Sequence, residues 1–65
     1  MPTKEEVRKL REMYEGKFVH VIINDPYSPI DAWGTVTHVD DMGQLHGTWS
    51  GLAAIPGVDY IGLDD

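Results

Sequence analysis

Hydrophobic positions divide the chain into a helical first quarter and a remainder of short strands. In "TKEEVRKLREMYEG" the apolar residues Val7, Leu10 and Tyr14, with Met13 beside them, recur at helical spacing. Thr3 stands before this stripe as an N-cap. Glu6, three positions on, completes a capping box in which each side chain accepts from an amide that the first turn leaves unpaired. Glu5–Lys9, Arg8–Glu12 and Arg11–Glu15 set opposite charges four apart on the polar face. Gly16 suits a C-terminal cap, because glycine takes left-handed backbone at no steric cost. The pattern predicts a helix over residues 4–15.

The period then changes. "KFVHVII" is short and β-branched, which predicts a strand with Val19, Val21 and Ile23 on one face and Phe18, His20 and Ile22 on the other. Both faces are largely apolar, so one is expected to meet the helix and the other to close on a barrel interior. "NDPYSPIDAWG" carries two prolines with Asn24, Asp25 and Ser28. It reads as a loop of about ten residues over 24–34 that presents Tyr27, Ile30 and Trp33, and loops of that length often bind something. "GTVTHVD", "QLHGTW" and "LAAIP" read as three more strands, separated by the turns "DMG" and "SG". "GVDYIGL" gives a last turn and a short closing strand. The expected fold is α+β in a single domain: an N-terminal α-helix, then a small, strongly bent antiparallel β-sheet or SH3-like barrel of four to five strands. Closure hides sheet edges best at this size.

At 65 residues the core is small, and stability of roughly 3–5 kcal/mol is expected. There is no cysteine, which fits a reducing cytoplasm and removes disulfides and thiolate metal sites. No apolar run approaches membrane-spanning length, and the charged N-terminal segment reads as neither a signal nor a transit peptide.

Charge changes the picture more than composition does. All five basic residues (Lys4, Arg8, Lys9, Arg11, Lys17) lie in the first 17 positions, against four glutamates, for a net +1. From Phe18 onward there are seven aspartates and no lysine or arginine, for a net −7. Contact with a phosphate backbone needs cations, so direct nucleic-acid binding is not expected. A basic partner surface is the better match.

"HVDDMGQLHGTW" holds the densest candidate chemistry. With "DMG" as a three-residue hairpin loop and Gly43 in the left-handed region, Asp40 pairs with Gln44, Val39 with Leu45, and His38 with His46. Thr35 then falls opposite Trp49. Val39, Leu45 and Trp49 share the core face, while His38, Asp40, Gln44 and His46 share the wetter one. Two imidazoles and a carboxylate have zinc-ligand chemistry, yet structural zinc takes four protein ligands, and catalytic zinc takes three in a recessed site. The preferred reading is a polar hairpin face, with Asp40 and Asp41 as turn residues that bond nearby amides. Ser28 and Ser50 lie in no nucleophile motif, and the glycine spacings lack the lysine of a phosphate loop. No enzyme, cofactor or metal is expected.

With the hairpin placed, the chain resembles a small, functionally uncharacterised domain family of bacteria and their phages. That family pairs an R-x-x-Y-x-x-G helix end with G-T-V-x-x-V-D-D-x-G-x-[LI]-x-x-x-W-x-x-G and a later I-x-G-x-D. The matching residues are Arg11, Tyr14, Gly34, Thr35, Val36, Val39, Asp40, Asp41, Gly43, Leu45, Trp49, Ile55, Gly57 and Asp59. The family's W-[DE]-x-G turn is shortened to "WSGL" in this chain. By size, charge and autonomy the chain is also similar in class to acidic phage inhibitors of host defence, of which anti-CRISPR proteins that mimic DNA are the best known. The class implies a cytoplasmic inhibitor that blocks a basic nucleic-acid-binding surface of a host protein or nucleoprotein complex, such as a CRISPR effector. The alternative is a non-enzymatic interaction module of a phage or mobile element that uses the 24–34 loop. The expected partner-binding residues are Asp25, Tyr27, Asp31, Trp33, Asp40, Asp41, Asp59, Asp64 and Asp65, with the carboxylates forming one continuous anionic surface.

Overall fold

A computed structural model describes residues 2–64; Asp65 lies outside the described residues. Helix α1 spans Lys4–Tyr14. Its start is the predicted capping box: the Glu6 amide donates to Thr3 Oγ1 (3.1 Å) and the Thr3 amide to Glu6 Oε1 (3.0 Å). These bonds hold the Glu6 carboxyl below its ordinary pKa, Thr3 being the main cause. Gly16 follows the helix with φ 81° and turns the chain into the sheet.

Four antiparallel strands follow: β1 (Phe18–Ile23), β2 (Ile30–Val39), β3 (Leu45–Gly47) and β4 (Tyr60–Leu63), in the order β3-β2-β1-β4. The class is α+β, as expected. The sheet is open and does not close into a barrel among the described residues. β3 is only three residues long, and its free side is met by a single bridge from Leu45 to Ala54. β4 pairs with β1 at the opposite edge. "LAAIP" therefore contributes two isolated bridges, Ala54 to Leu45 and Pro56 to Asp59, rather than a strand.

The β1–β2 register pairs Ile23 with Ile30 and Phe18 with Thr35. The intervening loop is thus residues 24–29, about half the expected length. Ile30 to Gly34 belong to β2 because the amides of β1 need partners and this segment supplies them. Asp25 Oδ1 closes the loop by accepting from the amides of Tyr27 (2.8 Å) and Ser28 (2.9 Å).

The hairpin forms in the predicted register, with His38 opposite His46, Val39 opposite Leu45, and Gly43 at φ 79°. Beyond it the register shifts, because Val36 rather than Thr37 pairs with Gly47. Thr35 accordingly meets Thr48, whose amide donates to the Thr35 carbonyl at 3.0 Å, and not Trp49. The bulge at Thr37 has a packing reason. Val36 and Val39 are three apart, so strict alternation would send them to opposite faces, and the extra residue lets both be buried.

The core comprises Val19, Val21, Ile23, Val36, Val39, Leu45, Trp49 and Ala54, with Leu10 and Tyr14 of α1 packed against it. Val7 is the one buried residue of the helix. The helix also seals the part of β2 that β1 does not reach. Glu15 Oε2 accepts from the Val39 amide (2.8 Å), and Arg11 Nε donates to the Val39 carbonyl (3.0 Å). The expected Arg11–Glu15 pair is thereby replaced, since both side chains reach the backbone of Val39, whose N–H and C=O would otherwise be left at a sheet edge. Arg8 pairs with Glu5 and, at 3.0 Å, with Glu12.

Candidate interaction face

The face of β1 that carries Phe18, His20 and Ile22 was expected to be covered. It is not: helix and core occupy the other side of the sheet, where Val19, Val21 and Ile23 are buried. Register then determines what gathers on the open side. Trp33 of β2 lies directly across from His20, and Asp31 across from Ile22. On the far flank Gly62 of β4 lies across from His20, and Tyr60 across from Ile22.

The result is a connected aromatic group. His20 stacks on Trp33 with ring centres 4.7 Å apart and planes 14° apart. Phe18 stacks on the same indole at 5.5 Å and 16°. Tyr60 meets His20 edge-to-face at 5.7 Å and 78°. Phe18, Trp33 and Tyr60 are each about half exposed (48%, 52% and 56%). Such rings normally hide most of their area in a core or an interface. His20 is the least exposed member and is fixed by Asp31, whose Oδ1 lies 2.6 Å from His20 Nε2.

Gly62 makes the arrangement possible on the β4 side. A β-carbon there would lie 2.5 Å from the Tyr60 hydroxyl and 3.0 Å from Cζ. The phenol therefore rests over the glycine backbone, beside His20.

Most of the aspartates have local partners. Asp25 closes the β1–β2 loop through its amide bonds, and Asp59 accepts from the Ile55 amide (2.8 Å) ahead of β4; the two line one hollow at the end of the sheet. Asp40 accepts from the amides of Met42 and Gln44 (2.9 Å each) and bonds His46 Nε2 at 2.8 Å. The His46 bond, with those two amides, holds the Asp40 carboxyl below its ordinary value. Asp41 is paired with Arg11 of the helix at 3.0 Å. Asp64, in the described C-terminal segment, donates its amide to the Phe18 carbonyl at 3.1 Å. Tyr27 stands out in solvent on its loop, 93% exposed, and joins no aromatic contact among the described residues. Of the expected partner-binding residues, Trp33 and Asp31 are brought together on the open face of the sheet, and Asp25 and Asp59 at the hollow at its end.

His38 and His46 stack as nearly parallel rings, 4.5 Å and 4° apart. Among the described residues no group of three or more histidine, aspartate or glutamate side chains converges as a metal site. A separate apolar hollow of about 460 Å³ lies between α1 and the β2–β3 turn, lined by Leu10, Met13, Met42 and Ile55. No described helix is long and apolar enough to cross a membrane.

The motif residues now have structural roles. Arg11 holds Val39 and Asp41, Tyr14 packs on the core, and Gly43 takes the left-handed turn position. Gly34 leaves no room for a side chain against Thr48 and Trp49. Asp40 and Asp59 bond turn amides, and Trp49 is buried with its indole N–H on the Leu52 carbonyl (2.9 Å). A sequence pattern of this kind is a fold signature, and residues 3–63 match the DUF4314 family, a domain of unknown function. The chain belongs to the DUF4314 family. No curated protein and no solved structure matches it. Apart from the anchoring roles just described, DUF4314 membership assigns no activity to the aromatic face. Phe18, His20 and Tyr60 lie outside the quoted motif. The alternation in "FVHVII" did place Phe18 and His20 on one face; that this face stays uncovered is decided by where the helix docks.

Proposed function

We propose that the chain is a non-enzymatic interaction module that docks a basic protein surface through the open face of β1, β2 and β4. One observation carries this reading: Trp33 stands half exposed among Phe18, His20 and Tyr60, beside Asp31, in a segment without a lysine or arginine. Interface hot spots are enriched in such aromatic residues, and a surrounding negative field steers a basic partner toward them. This is the interaction-module alternative with its contact surface moved from the 24–34 loop to the sheet. Of that loop's aromatics, only Trp33 belongs to the contact.

The inhibitor of a host nucleic-acid-binding surface is a narrower form of the same proposal, and the −7 charge beyond Lys17 supports it. Imitation of duplex DNA by a row of carboxylates is the weaker version. It needs open charges, whereas Asp41 is paired with Arg11 and Asp40 with His46. A short basic element, such as a pocket for a target-flanking motif, suits the docking face better than a long duplex channel does.

The test compares partner capture from a bacterial host by the natural chain, by Trp33→Ala, and by the Asp40→Asn/Asp41→Asn pair. Loss of the captured protein with Trp33→Ala and its retention with the aspartate pair is the expected result. The reverse outcome assigns the contact to the hairpin carboxylates and overturns the docking face. A gel shift with generic DNA checks the excluded class, since a clear shift contradicts a protein partner.

A further inference from the structure

Resting on the docking reading above, we infer that the centre of this face is a binding site for an arginine side chain of the partner. Three features converge there. The first is a carboxylate with spare capacity. Asp31 uses Oδ1 on His20, its side chain is 72% exposed, and Oδ2 has no hydrogen bond among the described residues. The second is that no lysine or arginine pairs with Asp31 among the described residues. Arg8 is held by Glu5 and Glu12, Arg11 by Asp41 and the Val39 carbonyl, and no lysine or arginine follows Lys17. The third is planar aromatic surface beside the carboxylate: Trp33 and Tyr60 flank His20, each with about half its area in solvent.

These features suit guanidinium better than ammonium. Guanidinium is planar, stacks on aromatic rings, and is weakly hydrated, so covering it costs less. It also bonds a carboxylate oxygen while its plane lies against a ring, and His20 joins the two groups here by bonding Asp31 and contacting both Trp33 and Tyr60. Lysine brings a compact, strongly hydrated charge that uses the carboxylate and gains less from the rings. Histidine at position 20 then acts as a positioning residue: bonded to Asp31 and stacked on Trp33, it fixes the two contact groups relative to each other.

The experiment is an NMR titration of the isotope-labelled chain with three short capped peptides that differ at one position: arginine, lysine or citrulline. Citrulline keeps the planar urea group and lacks the charge. A thymidine oligonucleotide serves as a fourth ligand. Expected are shifts centred on the Trp33 indole, Tyr60 and His20, with arginine binding at least fivefold tighter than lysine or citrulline. Asp31→Asn should reduce the arginine affinity at least fivefold, and Tyr60→Leu should bring arginine and lysine to within about twofold. Equal binding of arginine and lysine, shifts centred on the Asp40–Gly43 turn, or a stronger response to the oligonucleotide each overturn the assignment. Spectra of the variants without ligand keep folding separate from binding. If arginine peptides give no shift while Trp33→Ala still abolishes partner capture, the arginine site fails and the docking face stands. If both fail, the docking reading fails as well.

Discussion

Gly47 offers the sharpest check on the packing, because its replacement meets a buried wall. A β-carbon at Gly47 would lie 2.1 Å from Cζ3 and 2.6 Å from Cε3 of Trp49, and 2.6 Å from the Thr35 carbonyl oxygen. Trp49 is only 7% exposed and is fastened through its indole nitrogen to the Leu52 carbonyl. The ring cannot swing aside like the end of a flexible chain. Gly47→Ala therefore forces either β3 away from β2 or the indole out of the core. Overpacking of this kind costs about 1–3 kcal/mol, and expelling the indole approaches the roughly 3–5 kcal/mol of a tryptophan deletion. A domain of this size holds only about 3–5 kcal/mol in total. The midpoint of thermal unfolding should fall by roughly 4–8 °C for each kcal/mol lost. Urea and thermal unfolding followed by near-ultraviolet circular dichroism read this directly. Gly57→Ala is the control: its φ is 85° and nothing lies within 4 Å of the added carbon, so only left-handed strain, about 1–2 kcal/mol, applies. If Gly47→Ala unfolds within a few tenths of a kcal/mol of the natural chain, the close seating of Trp49 over Gly47 is wrong.

Further expectations are smaller. Thr3→Ala should destabilise by about 1 kcal/mol through loss of the cap on α1, visible in the same unfolding curves. Arg11→Ala should cost about 1–3 kcal/mol by freeing the partly buried Val39 carbonyl, and amide hydrogen exchange should rise around Val39 more than in β1. Because the Asp40 carboxyl is held below its ordinary 3.8 in the folded state, its contribution is present above that value and is lost as pH falls through the depressed one. Asp40→Asn should therefore flatten the acid limb of stability below about pH 4, and an unchanged slope contradicts the His46 and amide bonds as its cause. Trp33→Ala should cost less than the roughly 3–5 kcal/mol of removing a buried tryptophan, because the ring is 52% exposed, and an unfolding curve of the variant separates its effect on binding from its effect on folding.

Local rules were legible and long-range ones were not. Thr3 and Glu6, three apart ahead of an apolar stripe, specify the cap because both hydrogen bonds lie within one turn. "DMG" specifies the hairpin because Gly43 supplies the left-handed residue and Asp40 an acceptor for the turn amides. The bulge at Thr37 was hidden, since it arises from the joint demand of Val36 and Val39 for burial against β3, which alternation along one strand does not express. The shorter β1–β2 loop was hidden by Pro26 and Pro29, which look like loop signals, although Ile30 to Gly34 are pulled into β2 by the amides of β1. For the face, the sequence offered Trp33 and Asp31 separately; only the strand register sets both beside His20 and brings Tyr60 from the far end of the chain. The local partners of the aspartates were also hidden, because a charge count does not say which carboxylates accept turn amides.

The two tryptophans provide the most direct measurement. Trp33 is 52% exposed and Trp49 is 7% exposed, so their indole signals report the face and the core separately. Solvent accessibility of each indole N–H is measured by NMR in the free chain and in its complex with the captured partner. Docking through the sheet predicts strong protection of Trp33 on binding, with Trp49 unchanged. A complex in which Trp33 remains as accessible as in the free chain contradicts it.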